Sequence, residues 1–193
     1  MAKKFWGSEV AADFSTYEGK ALAAKLIQDR QFVKESLILC DFKSPNTVDL
    51  SSPDHTGDPT LESQVYSAIT GDEKSREELD KIGERIINVQ RAGRMRQGWG
   101  GREGDKLMEY LHTTPLTRED LFFNPECTVP GKDGEPMSRL GMVVDRDEFE
   151  KMKDEYYDYR GWDVETGYQT KEKLHELELD DVAADLEKRG LIK

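Results

Sequence analysis

The segment ESLILC at residues 35–40 carries the side chains best suited to metal or cofactor chemistry. It ends in Cys40, one of only two cysteines, and begins with the acid Glu35. A cysteine thiolate is a ligand for soft metals and iron–sulfur clusters, but such centres need several ligands. A free cysteine is also among the most buried residue types. Cys40 is therefore either a small core residue or one ligand of a centre whose other ligands lie elsewhere.

The remaining metal-binding residue types do not form a local site. The second cysteine, Cys127, lies far along the chain in the turn-rich segment NPECTVPG, where we expect a loop thiol without a special role. His55, His112 and His175 have no histidine at the i+4 spacing of a helical metal site. The sequence also lacks the nucleophile, metalloprotease and phosphate-loop motifs that would indicate a hydrolase or a nucleotide-binding enzyme.

Two groups of side chains allow both a binding and a structural interpretation. Arginines near the glycine-rich segment GWGGREG could hold phosphate groups through bidentate bonds, although pairing with nearby carboxylates is the stronger expectation. The aromatic segment YYDYRGWD could form a binding platform, but aromatic residues at a helix end more often anchor it to its neighbours. The arginines are Arg85, Arg91, Arg94, Arg96 and Arg102, and the aromatic residues are Tyr156, Tyr157, Tyr159 and Trp162.

The composition excludes several classes of function. Hydrophobic residues make up 36% and charged residues 35% of the 193 residues, as expected for a heavily solvated surface. The net charge of −12 would repel a phosphate backbone, so we expect no nucleic-acid partner. No apolar run approaches the ~18 residues that a membrane helix needs, and no continuous apolar stretch marks a secretory signal. We expect no membrane association, a cytoplasmic location and reduced thiols.

Local signals predict several helix starts. Ser15 and Ser75 each lie three residues before a glutamate, which is the capping-box spacing. Asp58 can cap a helix whose first residue is Pro59, and Asp145 precedes another apolar series. Further helices are predicted at about 105–112, 146–159, 170–177 and 180–189, the last ended by a glycine.

Apolar spacing extends the starts at the two serines into long helices. One is predicted from about Tyr17 to Cys40, with Cys40 pointing inward, and the other from about Arg76 to Gln97. The inward face of the first comprises Leu22, Leu26, Val33, Leu37 and Cys40. The inward face of the second comprises Leu79, Ile82, Ile86, Val89 and Gly93.

These patterns predict an all-α fold of irregular helical domains with long loops. Runs with the alternating pattern of a strand are nearly absent. We expect three parts: a helical region at 1–112 that bears the ESLILC motif, a long Pro/Gly-rich connection at 113–144, and a C-terminal helical region at 145–193.

Three blocks of the sequence resemble the C-terminal helical part of the tungsten-containing aldehyde ferredoxin oxidoreductases. They are residues 17–42, which end in ESLILCDF, residues 84–107 with the glycine-rich loop, and residues 144–191 with the series YY, RGWD and TKEKL. The resemblance runs in order from about residue 14 to the end of the chain. The all-α fold with long loops is what it implies.

In that family the first helix of this region ends in a pattern of the type Asp-x-x-Gly-Leu-Cys. The resemblance implies that Glu35 and Leu39 contact a pterin and that Cys40 is the fourth ligand of a [4Fe–4S] cluster. The chain departs from the pattern at the acid, which is Glu35, and at the glycine, which is Ile38. Both departures affect the pterin contact more directly than the thiolate.

The resemblance implies an oxidoreductase that converts aldehydes to carboxylic acids at a tungsten bis-pterin and passes electrons through the cluster to ferredoxin. The family's other cluster cysteines, its N-terminal sheet domain and its active-site acid and histidine are not in this sequence. We therefore expect the N-terminal portion or a larger subunit as partner, shared cofactors, and no catalytic residue or activity in the isolated chain. Two alternatives stay open: part of the tungsten subunit of a benzoyl-CoA-reductase-like enzyme, and a non-catalytic helical module or fragment.

Overall fold

The computed structural model describes residues 1–40 and 47–193. Its helices follow one another with long irregular connections, and the all-α prediction is confirmed. The α-helices are α1 Ala2–Phe5, α2 Lys20–Ser36, α3 Leu61–Thr70, α4 Arg76–Arg96, α5 Tyr110–Thr113, α6 Arg146–Arg160, α7 Lys171–Glu176 and α8 Asp180–Lys188. Within the described ranges, no helix is long and apolar enough to cross a membrane.

Helix α2 is shorter at both ends than predicted. Gly19, with φ +74°, takes the N-cap position, and the predicted capping box at Ser15 does not form. The Ser15 amide and hydroxyl instead bind the carboxylate of Asp13 at 2.9 and 2.6 Å. At the other end the helix stops at Ser36, because Ile38 adopts a left-handed conformation with φ 58°.

Helix α4 begins as predicted but buries a different face. Ser75 and Glu78 form the expected capping box. Leu79 is buried as predicted, but Ile82 and Val89 are exposed, so the predicted inward face was wrong at those two positions. The buried positions are Leu79, Gly83, Glu84, Ile87, Asn88, Ala92 and Met95. Helix α4 is therefore rotated relative to the prediction. Its inward face carries the polar side chains of Glu84 and Asn88, because both have partners on neighbouring elements.

The region between α4 and α6 is mostly irregular. The helix predicted at about 105–112 is reduced to α5, since Asp105 is held by side chains of other elements. A small antiparallel hairpin interrupts the long connection: β1 Thr128–Pro130 pairs with β2 Pro136–Ser138. At its turn Asp133 and Gly134 both have positive φ. The division into three parts stays a prediction.

The C-terminal helices match the sequence prediction closely. The Asp145 carboxylate accepts a hydrogen bond from the Glu148 amide at 2.9 Å and caps α6. Gly190, with φ +68°, follows α8 as expected. The largest apolar core forms where the end of α4 packs on α7 and α8, around Leu174 and Leu186, which are fully buried.

Helices α2, α4 and α6 meet at Asp29, which is 1% exposed. Its carboxylate binds Arg160 of α6, which is completely buried, and Lys25 at 2.9 Å. Its carbonyl lies against Gly83 of α4, where a Cβ would be 2.1 Å from the oxygen. The glycine therefore allows α4 to approach the backbone of α2 directly.

We predict that Gly83→Ala lowers the free energy of unfolding by about 1–3 kcal/mol, the usual cost of overpacking, because α2 and α4 must separate. Gly93→Ala on the same helix is the matched control. A Cβ there meets nothing within 4 Å, so alanine should raise stability by up to ~1 kcal/mol through its helix propensity. Urea unfolding followed by circular dichroism measures both. Equal stability of the two variants would contradict the close approach at Gly83.

Candidate functional site

The C-terminal end of α2 is a Schellman turn. The Ile38 amide donates to the carbonyl of Glu35 at 3.1 Å, and the Leu39 amide donates to the carbonyl of Lys34 at 2.9 Å. This pair of bonds needs a residue with positive φ at its pivot, which is usually glycine. Here the pivot is Ile38, a β-branched residue in a conformation that such side chains rarely adopt.

The turn lies between Glu35 and the other two predicted site residues, Leu39 and Cys40. Cys40 is exposed, so the expectation that it points inward was wrong. The helix ends four residues earlier, and the left-handed turn at Ile38 redirects the chain before Cys40. Glu35 is exposed and accepts a hydrogen bond from the side-chain amide of Gln31 at 3.2 Å. Leu39 is half-buried. Their roles as cofactor ligands stay a prediction.

This site offers one thiol, that of Cys40. Within residues 1–40 and 47–193, no group of three or more His, Cys, Asp or Glu side chains could hold a metal ion. Cys127 lies in a loop as expected, but it is buried, with its Sγ 3.8 Å from the carbonyl oxygen of Thr117. The exposed Cys40 thus fits a [4Fe–4S] cluster as a single ligand, with the other ligands supplied by another segment.

A cavity of about 680 Å³ opens between α2, α4, α6 and the loop 99–107. On α2 it is lined by Gln28, Gln31 and Phe32, so it lies one helical turn from Glu35. The sequence contained no signal for this cavity as a whole. Two of its walls, however, come from the arginine group and the YYDYRGWD segment, for which a binding interpretation was left open.

The cavity floor is held by a hydrogen-bond network around Asp105. Its carboxylate accepts bonds from Arg91 at 2.6 Å, from the Tyr157 hydroxyl at 2.6 Å and from the Trp99 indole at 3.0 Å. Burial alone would raise the pKa of Asp105, but the bonds from Arg91, Tyr157 and Trp99 hold it below its ordinary value. Burial and the bond to Asp105 raise the pKa of Tyr157, so the phenol stays protonated as a donor.

Most of the predicted arginine group forms ion pairs, as expected. Arg102 binds Glu150 at 2.7 Å and Asp154 at 2.5 Å. Arg85 lies 3.7 Å from Glu178, and Arg96 lies 3.4 Å from Asp185. With Arg91 bound to Asp105, four of the five have acidic partners among the described residues. The fifth, Arg94, lies over the Trp99 ring, 5.9 Å from its centroid.

The aromatic segment both anchors α6 and lines the cavity. Trp162 packs edge-on against Tyr156 with centroids 5.9 Å apart, and it donates to the Asn88 side chain at 2.9 Å. Arg91 stacks over its ring at 4.1 Å. Tyr159, in contrast, is 45% exposed and does not line the cavity. The two interpretations of this segment are therefore compatible.

The fold and the turn together define a helical module that presents one exposed thiol, Cys40. The family model described as "Aldehyde ferredoxin oxidoreductase, domains 2 & 3" matches residues 2–179, and the chain belongs to this family. The fold is similar to a chain of a solved structure titled "Active site complex BamBC of Benzoyl Coenzyme A reductase in complex with 1,5 Dienoyl-CoA". The TM-score is 0.58 at 21% identity. The match covers 92% of this chain and 22% of that chain.

We predict that Ile38→Gly raises the free energy of unfolding by about 1 kcal/mol, because a left-handed conformation costs an L-residue about 1–2 kcal/mol. Ile38 is 92% exposed, so little apolar burial is lost. Ile69→Gly in α3 is the control: this isoleucine is also exposed, at 79%, but helical, so glycine there should lower stability by roughly 0.5–1 kcal/mol. Urea denaturation compares them, and a destabilised Ile38→Gly protein would argue against the strained turn.

We predict that stability decreases as pH falls below about 4 and that Asp105 contributes to this decrease. A carboxyl group whose pKa is lowered by folding stabilises the protein above its unfolded pKa and loses that contribution as pH falls through its folded pKa. In Asp105→Asn the decrease should be smaller. Asp158→Asn, which removes one carboxylate at an exposed position of α6, is the comparison variant, and both are followed by urea unfolding. An unchanged profile for Asp105→Asn would contradict the prediction.

Proposed function

We propose that this chain is the C-terminal helical part of a tungsten-pterin, iron–sulfur oxidoreductase that oxidises aldehydes to carboxylic acids with ferredoxin as electron acceptor. Membership of the aldehyde ferredoxin oxidoreductase family supports the reaction class. The observation that carries the proposal is the exposed Cys40, presented by a Schellman turn. A buried thiol could not reach a cluster shared with another segment.

In this proposal the three site residues of the ESLILC motif, Glu35, Leu39 and Cys40, have separate roles. Cys40 ligates one iron of the cluster, and its charge and hydrogen bonding help to set the reduction potential. Glu35 accepts hydrogen bonds from a pterin ring edge, with Gln31 orienting its carboxylate. Leu39 steadies the pterin. The amides of Ile38 and Leu39 are already bound to the end of α2, which fixes the position of the turn.

When bound, the tungsten bis-pterin supplies the two-electron chemistry of aldehyde oxidation, and the cluster relays the electrons singly. The chain itself supplies neither a catalytic residue nor a complete set of cluster ligands. The N-terminal portion or a larger subunit completes the enzyme, and the isolated chain is inactive. The oxygen sensitivity of such centres implies an anaerobic cytoplasm.

Reduction of an aromatic acyl-CoA thioester is the second candidate. The chain shares its fold with part of a benzoyl-CoA reductase complex solved with 1,5 dienoyl-CoA. Assays of the complete enzyme with aldehydes and with aromatic acyl-CoA thioesters separate the two candidates. Turnover of neither would leave the non-catalytic helical module as the remaining interpretation.

We predict that Cys40→Ser abolishes electron transfer and lowers the iron content of the assembled enzyme while the helical fold is retained, because serine is a poor cluster ligand. The protein is purified anaerobically from its native host with its bound partners, and iron, tungsten, visible absorption and circular dichroism are measured. Cys127→Ala serves as the matched control and should keep the cluster.

Two results would count against the proposal. Wild-type cluster content in the Cys40→Ser enzyme would exclude Cys40 as a ligand. A colourless, metal-free wild-type chain that co-purifies with no larger polypeptide would favour the non-catalytic module instead.

A further inference from the structure

The cavity between α2, α4 and α6 has the opposite charge balance to the rest of the chain. The whole chain has a net charge of −12. Among the residues that the structure describes, in contrast, the cavity is lined by four cationic side chains and by a single acid, Asp105. The cations are Arg91, Arg94, Lys106 and Lys153. A cavity with this excess of positive charge attracts an anion from solution.

Two of these cations already serve the protein itself. Arg91 is bound to Asp105, and the Lys153 ammonium binds the backbone carbonyl of Asp105 at 3.0 Å and Glu150 at 2.8 Å. Arg94 and Lys106 are exposed, and in the described part of the chain neither makes an ion pair. They are therefore the side chains available to an anionic ligand.

Most of the remaining lining is aromatic or aliphatic, and Gln28, Gln31 and Gln90 add amide groups. Two of the three tryptophans of the chain, Trp99 and Trp162, line the cavity. Tyr157 and Trp162 are buried and form part of its wall. The polar atoms of Trp99, Tyr157 and Trp162 are all bound to protein partners. These side chains consequently offer ring faces and edges to a ligand rather than hydrogen-bond donors. The aromatic lining residues are Phe32, Trp99, Phe149, Tyr156, Tyr157 and Trp162.

We propose that this cavity binds an aromatic carboxylate. The ring packs on the aromatic walls, where offset and edge contacts are favourable. The carboxylate binds Arg94, whose planar guanidinium matches it with two parallel bonds, and Lys106 adds a second positive charge. The volume of about 680 Å³ lies within the range of small-molecule sites and leaves room for a bicyclic or substituted ring. This binding requires neither the cluster nor the pterin.

The test is calorimetric titration of the full 193-residue chain with 2-naphthoate. We expect saturable binding that weakens with added salt, and binding at least tenfold weaker for Arg94→Gln. Arg96→Gln is the matched control, since Arg96 lies two residues away on α4, pairs with Asp185 and does not line the cavity. Its affinity should equal that of the wild type. Lys106→Gln should weaken binding several-fold, and circular dichroism verifies that each variant is folded.

Two further ligands separate the contributions of the ring and the charge. Cyclohexanecarboxylate retains the charge without the aromatic ring, and 2-naphthalenemethanol retains the ring without the charge. Both should bind at least tenfold more weakly than 2-naphthoate. Absence of binding by 2-naphthoate, equal affinity for the neutral alcohol, or equal weakening by Arg94→Gln and Arg96→Gln would each overturn the proposal. Because no metal or turnover is measured, the result is independent of the proposed redox function.

Discussion

The buried ion pair between Asp29 and Arg160 is the interaction on which the rest of this structure depends. It joins α2 to α6 across 131 positions of sequence, and the carbonyl of the same aspartate rests on Gly83 of α4. Both side chains are almost fully enclosed. Removing one partner of such a pair typically costs about 3–5 kcal/mol, because the other charge is left buried without compensation. One residue thus sets the mutual positions of three helices.

The polar partners of this centre also explain the exposed apolar residues of α4. Lys25 lies 3.5 Å from Glu84, and Lys173 of α7 lies 3.2 Å from the other oxygen of the same carboxylate. Asn88 links Trp162 to Gln169 through bonds of 2.9 and 2.7 Å. These buried polar networks occupy the inward face of α4. Apolar side chains such as Ile82 and Val89 are left on the outer face.

The same three helices relate the cysteine turn to the cavity. Helix α2 carries Gln28, Gln31 and Phe32 along the cavity wall and ends one turn later in the Schellman turn before Cys40. Gln31 connects the cavity to the motif, since it lines the cavity and donates a hydrogen bond to Glu35. The cavity wall and the first residues of the motif therefore lie on one helix, which is held by Asp29 near its middle.

The sequence alone determined the helical class, the capped starts of α4 and α6, and the C-terminal helices, because capping and helix-stop signals act within a few residues. It also identified the ESLILC motif through its resemblance to a family. Only the tertiary structure decided that α2 ends before Cys40, that α4 buries Glu84 and Asn88 rather than Ile82 and Val89, and that Arg94 lies beside an aromatic cavity. The buried face of α4 and the surroundings of Arg94 depend on contacts between residues far apart in sequence, such as Asp29 with Gly83, which periodicity cannot reveal. The end of α2 follows from the left-handed conformation of Ile38, which a β-branched residue rarely adopts.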